Sequence, residues 1–133
     1  MLTLFILPSG KNVTYPEKMI KSLQGLVKHV KFVQSVDSVN LYWKSTDWYG
    51  VFYDNEYVDV YLYKGILMVF DTTKADFFVL CKRDIGKDGM SVFTKCPRLF
   101  RKDVLLQDNT LLPRQPGLHA GLIAEGLVMS YDK

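Results

Sequence analysis

Residues 14–31, TYPEKMIKSLQGLVKHVK, decide how the rest of the chain is read. Thr14-Tyr15-Pro16-Glu17 has the form of a capping box. Thr14 caps, Pro16 sits in the first turn where a missing N–H is harmless, and Glu17 reaches back. Met19, Ile20, Leu23, Leu26, Val27 and Val30 follow at helical spacing, with Lys18, Lys21 and Lys28 largely off the stripe. The pattern predicts one amphipathic helix over about 15–29. Upstream, Leu2 to Leu7 reads as a short apolar strand closed by the turn signal Pro8-Ser9-Gly10-Lys11-Asn12.

Downstream the period changes from 3.6 to 2. Val39, Leu41 and Trp43 alternate with Asn40, Tyr42 and Lys44, which predicts a half-buried strand. Trp48 to Tyr53 is a second, ended by Asp54-Asn55-Glu56. Tyr57 to Tyr63 alternates again, and Lys64-Gly65 turns the chain into the apolar run Ile66 to Phe70. Asp71 to Ala75 and Ile85 to Gly89 are further turns, leading into strands over Phe77 to Lys82 and Met90 to Lys95. Connections this short imply antiparallel neighbours, because parallel ones need crossovers of about a dozen residues. The expected fold is α+β, one N-terminal helix packed on a curved antiparallel meander of about six or seven strands. Pro97, Pro113 and Pro116 punctuate the remainder. Leu118 to Met129 is apolar enough to be buried, and a strand, a short helix or a docking tail over 118–133 all remain open. With no repeat or linker, residues 1–133 are read as a single domain.

Strand, helix and then meander is the element order of the cystatin-like fold. Gln34-Ser35-Val36-Asp37-Ser38 resembles the Q-x-V-x-G loop of cystatin inhibitors, with Ser38 in place of the glycine and the downstream Pro-Trp missing. The resemblance covers about 30 residues, and what it implies concerns fold alone.

The chain has 133 residues, 48% hydrophobic, 14% aromatic and 23% charged, with nine Gly, five Pro and two Cys. Those values exclude collagen-like, disulfide-framework and disordered classes. No apolar run approaches the roughly 20 residues of a membrane helix, and Leu2 to Leu7 lacks the basic flank of a signal peptide. A cytoplasmic protein is expected. Alanine is scarce while Lys, Asp, Tyr, Phe and Val abound, as in AT-rich coding sequences, which suggests phage or viral origin. The net charge of +3 is segregated, at +4 over residues 1–36, −4 over 37–80 and +3 over 81–133.

Basic ends of this kind can present strong local potentials. Lys11, Lys18, Lys21, Lys28 and Lys31, with His29, form one candidate polyanion-binding set. Lys82, Arg83, Lys87, Lys95, Arg98, Arg101 and Lys102 form a second, on a hairpin. Phosphate contact needs only positive charge within reach, and exposed aromatics add base stacking. Tyr42, Tyr57, Tyr61 and Tyr63 are expected on the wetter strand faces. Cys81 is expected to face Thr94, with Cys96 diagonal to it on the same face and both thiols reduced. No metal-ligand spacing, nucleophile elbow, P-loop or dinucleotide fingerprint occurs, so no cofactor or metal is expected. The expected function is that of a small non-enzymatic binding protein, engaging nucleic acid or an acidic host surface through the basic helix and hairpin. Two alternatives are a metal-independent ribonuclease using His119 and Arg114, and a virion or assembly component acting as an oligomer.

Overall fold

Leu2–Leu7 is strand β1, and all six of its residues are buried. A strand buried on both faces needs neighbours on both sides and helices above and below, the setting of a parallel sheet. The computed structural model describes residues 1–12, 14–70, 74–86 and 88–130. It shows β1 paired in parallel with β2 (Val27–Phe32) on one side and with β3 (Trp48–Tyr53) on the other. Helix α1 (Pro16–Ser22) covers one face, where Met19 and Leu23 join Leu2, Leu4 and Ile6. Helix α2 (Val36–Leu41) covers the other, where Val36 and Val39 join Phe5 and Leu7.

The remaining elements are β4 (Glu56–Val58), α3 (Val60–Val69), β5 (Phe77–Ile85), β6 (Ser91–Arg101) and β7 (Ala120–Ser130). Among the described residues the seven strands form one sheet in the order β2-β1-β3-β6-β5-β7-β4. It is mixed: β3–β6, β6–β5 and β7–β4 are antiparallel, whereas β5–β7 is parallel. Only Asp54 and Asn55 separate β3 from β4, yet β4 pairs at the opposite edge. The sheet therefore curls until its far edge returns toward β3. No helix among the described residues is long and apolar enough to cross a membrane.

The α+β class and the curved seven-stranded sheet hold, but the meander does not. The single helix expected over 15–29 is a seven-residue helix followed by an edge strand. Gly25, at φ +92°, supplies the left-handed turn that stops α1. Leu26 and Val27 then return to β1, with Leu2 N–H donating to the Leu26 carbonyl at 2.8 Å. The Thr14 capping box does not form; Tyr15 is the N-cap residue, without a side-chain cap bond. The alternation over 39–44 is overridden by α2, whose N-cap Ser35 accepts from Ser38 N–H. The cystatin-like loop is thus the first turn of a helix.

Tyr57 to Phe70 also reads differently in three dimensions. Asp59 caps α3 by accepting from Leu62 N–H at 2.8 Å, and Leu62 and Ile66, four apart, are both fully buried. The strands expected over 48–53, 77–82 and 90–95 form as Trp48–Tyr53, Phe77–Ile85 and Ser91–Arg101, the last running on through Pro97. Cys81 faces Lys95 and Cys96 faces Leu80, one residue off the expected register, so the two free thiols point to opposite faces. Residues 120–130 are an interior strand, not a detachable tail. The turn expected over Asp71 to Ala75 falls largely outside the described residues.

Strand β7 makes way for α3 through a bulge. Leu80 pairs with Ile123 but Lys82 with Val128, so residues 124–127 loop out of the ladder. Gly126 within it, at φ +78°, presses on the helix start: an added Cβ would lie 2.6 Å from Leu62 Cα and closer still to Leu62 N and Asp59 Oδ1. Gly89 has a similar φ of +81° but open space around it. Gly126→Ala should therefore cost about 3 kcal/mol or more, and Gly89→Ala about 1 kcal/mol, the left-handed penalty alone. Urea denaturation of the two variants reads the difference.

Candidate functional site

Loops leaving the carboxyl ends of parallel strands diverge where successive crossovers pass to opposite faces, and the crevice between them is where open α/β sheets hold ligands. Here the chain leaves β1 through α1 on one face and reaches β3 through α2 on the other. The crevice is bounded by Pro8-Ser9-Gly10-Lys11 after β1 and by Asp54 after β3. Asp54 ties the two together. Its N–H donates to the Leu7 carbonyl at 2.9 Å, its Oδ1 accepts from Ser9 N–H at 3.0 Å, and its carbonyl accepts from Tyr15 N–H at 3.0 Å.

Beside this junction a cavity of about 540 Å³ is lined by Tyr15, Glu17, Lys18 and Lys21. Lys18 lies over the Tyr57 ring, with Nζ 4.2 Å from the centroid. A neighbouring groove of about 430 Å³ runs between α1 and β2, lined among others by Glu17, Ile20, Lys21 and Lys28. Lys21 belongs to both concavities. Lys11, Lys18, Lys21, Lys28 and Lys31 are all exposed, as is His29. The split of the expected helix moves Lys28, His29 and Lys31 onto edge strand β2, where lysines also discourage strand addition.

The second basic set is dispersed. Arg98 is 3% exposed and donates to both carboxylate oxygens of the fully buried Glu56, at 2.6 and 2.9 Å. Lys82 Nζ is 2.7 Å from the same carboxylate. Neither cation is presented to a polyanion. Arg83 Nε donates to Ser91 Oγ at 3.0 Å, and Arg101 Nε to the Ala75 carbonyl at 3.0 Å with its guanidinium over Trp48. Lys102 Nζ stands 3.7 Å from Asp47, Lys95 is exposed, and Lys87 lies outside the described residues. Among the described residues the hairpin cations are thus dispersed over separate settings, unlike those of α1.

His119 and Arg114 have separate anchors. The exposed His119 is fastened by its backbone to Asp76, whose Oδ2 accepts from His119 N–H at 2.7 Å. Arg114 Nη2 is 3.4 Å from Asp108 Oδ1 within the 103–115 loop. Residues the sequence reading passed over are Ser9, Asp54 and Glu56. Their signal was present: two continuous apolar runs, 2–7 and 48–53, each ending in small polar residues.

The Glu56 cluster locks the junction from inside. Register shifts between Phe78–Leu99 and Val79–Pro97, so Arg98 is the extra residue of a bulge in β6. Pro97 lacks the N–H a regular ladder would need, and the bulge turns Arg98 inward. Glu56 Oε1 also accepts from Tyr53 N–H at 2.7 Å, bracing the β3–β4 turn that carries Asp54. Arg98 Nε has no partner among the described residues. Burial by itself would raise the Glu56 pKa, but the charges and hydrogen bonds of Arg98, and then of Lys82, hold it below the ordinary carboxylate value. Burial pushes the neighbouring Cys96 thiol up.

Glu56→Gln leaves Arg98 and Lys82 without their counter-charge and should cost about 3–5 kcal/mol at neutral pH. A carboxylate with a lowered pKa contributes stability that is complete above its unfolded value and lost as pH falls through its folded value. The gap between wild type and Glu56→Gln should accordingly narrow on acidification below about pH 4.5, read as denaturation midpoints across pH. In comparisons with models of known protein families and with curated protein sequences, the chain matches none.

Proposed function

We propose that this is a binding protein for a phosphate-bearing ligand, seated on the basic face where α1 meets the carboxyl ends of β1 and β3. The observation that carries the reading is the position of Lys21, shared by the cavity at the start of α1 and the groove leading to Lys28. Lys18 lines the cavity with it, and Glu17, which borders both concavities, is the one acid in either lining. The topology supports the same place independently, since the crevice lies at the reversal of the parallel strands. The volume of about 540 Å³ is within the usual range for small-ligand sites.

Phosphate reaches such a face from two sources, a nucleic-acid strand or a free nucleotide. A strand would follow both concavities and touch Lys21 and Lys28; a nucleotide would remain at the strand ends beside Lys18 and Lys21. The buried Arg98, and Lys82 held to the same carboxylate, take no part. Of the hairpin cations expected from sequence, Arg83, Lys95, Arg101 and Lys102 stand in separate settings, and Lys87 lies outside the described residues.

Titration of labelled RNA, DNA and nucleotides at low salt tests this. Lys21→Glu should weaken either ligand at least tenfold, whereas Lys28→Glu should weaken only a strand. For a strand, log K should fall linearly with log salt, and each lost phosphate contact should lower the slope by about 0.7. Binding unchanged in Lys21→Glu, or no binding of any phosphate ligand by the wild type, overturns the reading.

A further inference from the structure

Across edge strand β2 from α1, the chain displays Trp43 at 86% and Leu41 at 85% exposure. This display is built by the residues around it. Lys44 is only 8% exposed, and its Nζ donates to the carbonyls of Val39 and Tyr42 at 2.8 and 3.1 Å, closing the end of α2. The same ammonium lies 4.7 Å from the centroid of the buried Tyr49 ring. The Tyr42 ring packs on Phe5 with centroids 6.0 Å apart. Lys44 is held inward and the half-exposed Tyr42 is fastened to Phe5 by its ring, so the indole between them stands in solvent on an anchored segment. Ser38, Leu41 and Tyr42 line a groove of about 300 Å³ on the preceding turn.

The charge nearby is positive on the β2 side. Lys31 Nζ is 5.8 Å from the Tyr42 ring centroid, and Lys31 lies opposite Phe5 in the sheet register. Lys28 and His29 precede it on the same exposed edge strand, and Lys28 borders the groove of Lys21. Cations therefore lead from the α1 face over the β2 edge to an aromatic platform. Asp37, in the first turn of α2, is the acid of that helix.

We infer that the phosphate-bearing ligand is a single-stranded nucleic acid whose backbone crosses β2 along Lys28 and Lys31 and whose base stacks on Trp43 beside Tyr42. The inference rests on the phosphate-binding reading above and narrows it. A duplex cannot offer the face of an interior base, whereas every unpaired base has one, so stacking selects single strands with little regard for sequence.

The probe is oligothymidylate, which has no structure of its own, set against the matching duplex and a thymidine nucleotide. Trp48 is 3% exposed and Trp43 is 86%, so quenching of the solvent-exposed emission reports Trp43. Oligothymidylate should quench that emission. Trp43→Ala should lower its affinity about tenfold or more while leaving the nucleotide and the duplex unchanged. Trp43→Phe should recover much of the loss. An unaltered denaturation midpoint confirms that the variants are folded. Strand binding without quenching and without loss in Trp43→Ala overturns the stacking inference but leaves the phosphate reading standing, as does binding of the nucleotide alone. Failure of every phosphate ligand overturns both.

Discussion

Everything in this fold follows from the burial of β1 on both faces. Six consecutive residues, five of them large and apolar, cannot be covered by one helix on an antiparallel sheet. They require a parallel neighbour on each side and a crossover on each face, and α1 and α2 provide the two crossovers. Leu2, Leu4 and Ile6 then belong to one core, and Phe5 and Leu7 to the other. Reversal of the chain around β1 also creates the crevice between the loops after β1 and β3. The candidate site is thus a geometric consequence of satisfying a hydrophobic strand.

A second constraint shapes the opposite half of the sheet. The bidentate Arg98–Glu56 pair joins β6 to β4 across the curl, and Lys82 adds β5. A buried ion pair of this kind contributes little net stability, because desolvation offsets attraction. Its effect is to disfavour alternatives: any other register of β4 leaves an uncompensated charge in the interior. The bulge at Pro97 and Arg98 is what lets β6 supply the cation, and the β3–β4 turn braced by Glu56 is the one that carries Asp54. Packing in the curl and geometry at the crevice are therefore coupled through a single carboxylate.

The surface shows a comparable division of labour. Arginines and lysines that look alike in sequence differ in what surrounds them. Arg98 and Lys82 face a carboxylate inside the curl, Arg101 lies over the Trp48 ring, and Lys44 closes the end of α2. What remains in water on the α1 and β2 side is a coherent group of lysines with an exposed tryptophan beyond it. The candidate face is made of the cations that the core does not use.

Legible in the residues alone were the α+β class, a helix opening near residue 15, and strands near 48–53, 77–82 and 90–95. These depend on local turn chemistry and on apolar runs bounded by polar residues. The sequence also carried a sign of the parallel core, because Leu2 to Leu7 is continuous where a half-buried strand would alternate. Helix or strand at 26–30, 39–44 and 57–70 was decided only by tertiary structure. Leu26, Val27 and Val30 suit either period, and it was the open edge of β1 that drew them into β2 once Gly25 had turned the chain. Burial of Leu62 and Ile66 against β7 likewise outweighed the alternation around Val58 and Val60. Which cations face water was beyond local pattern altogether, since Glu56 meets Arg98 across 42 residues of chain and only the curl of the sheet brings them together.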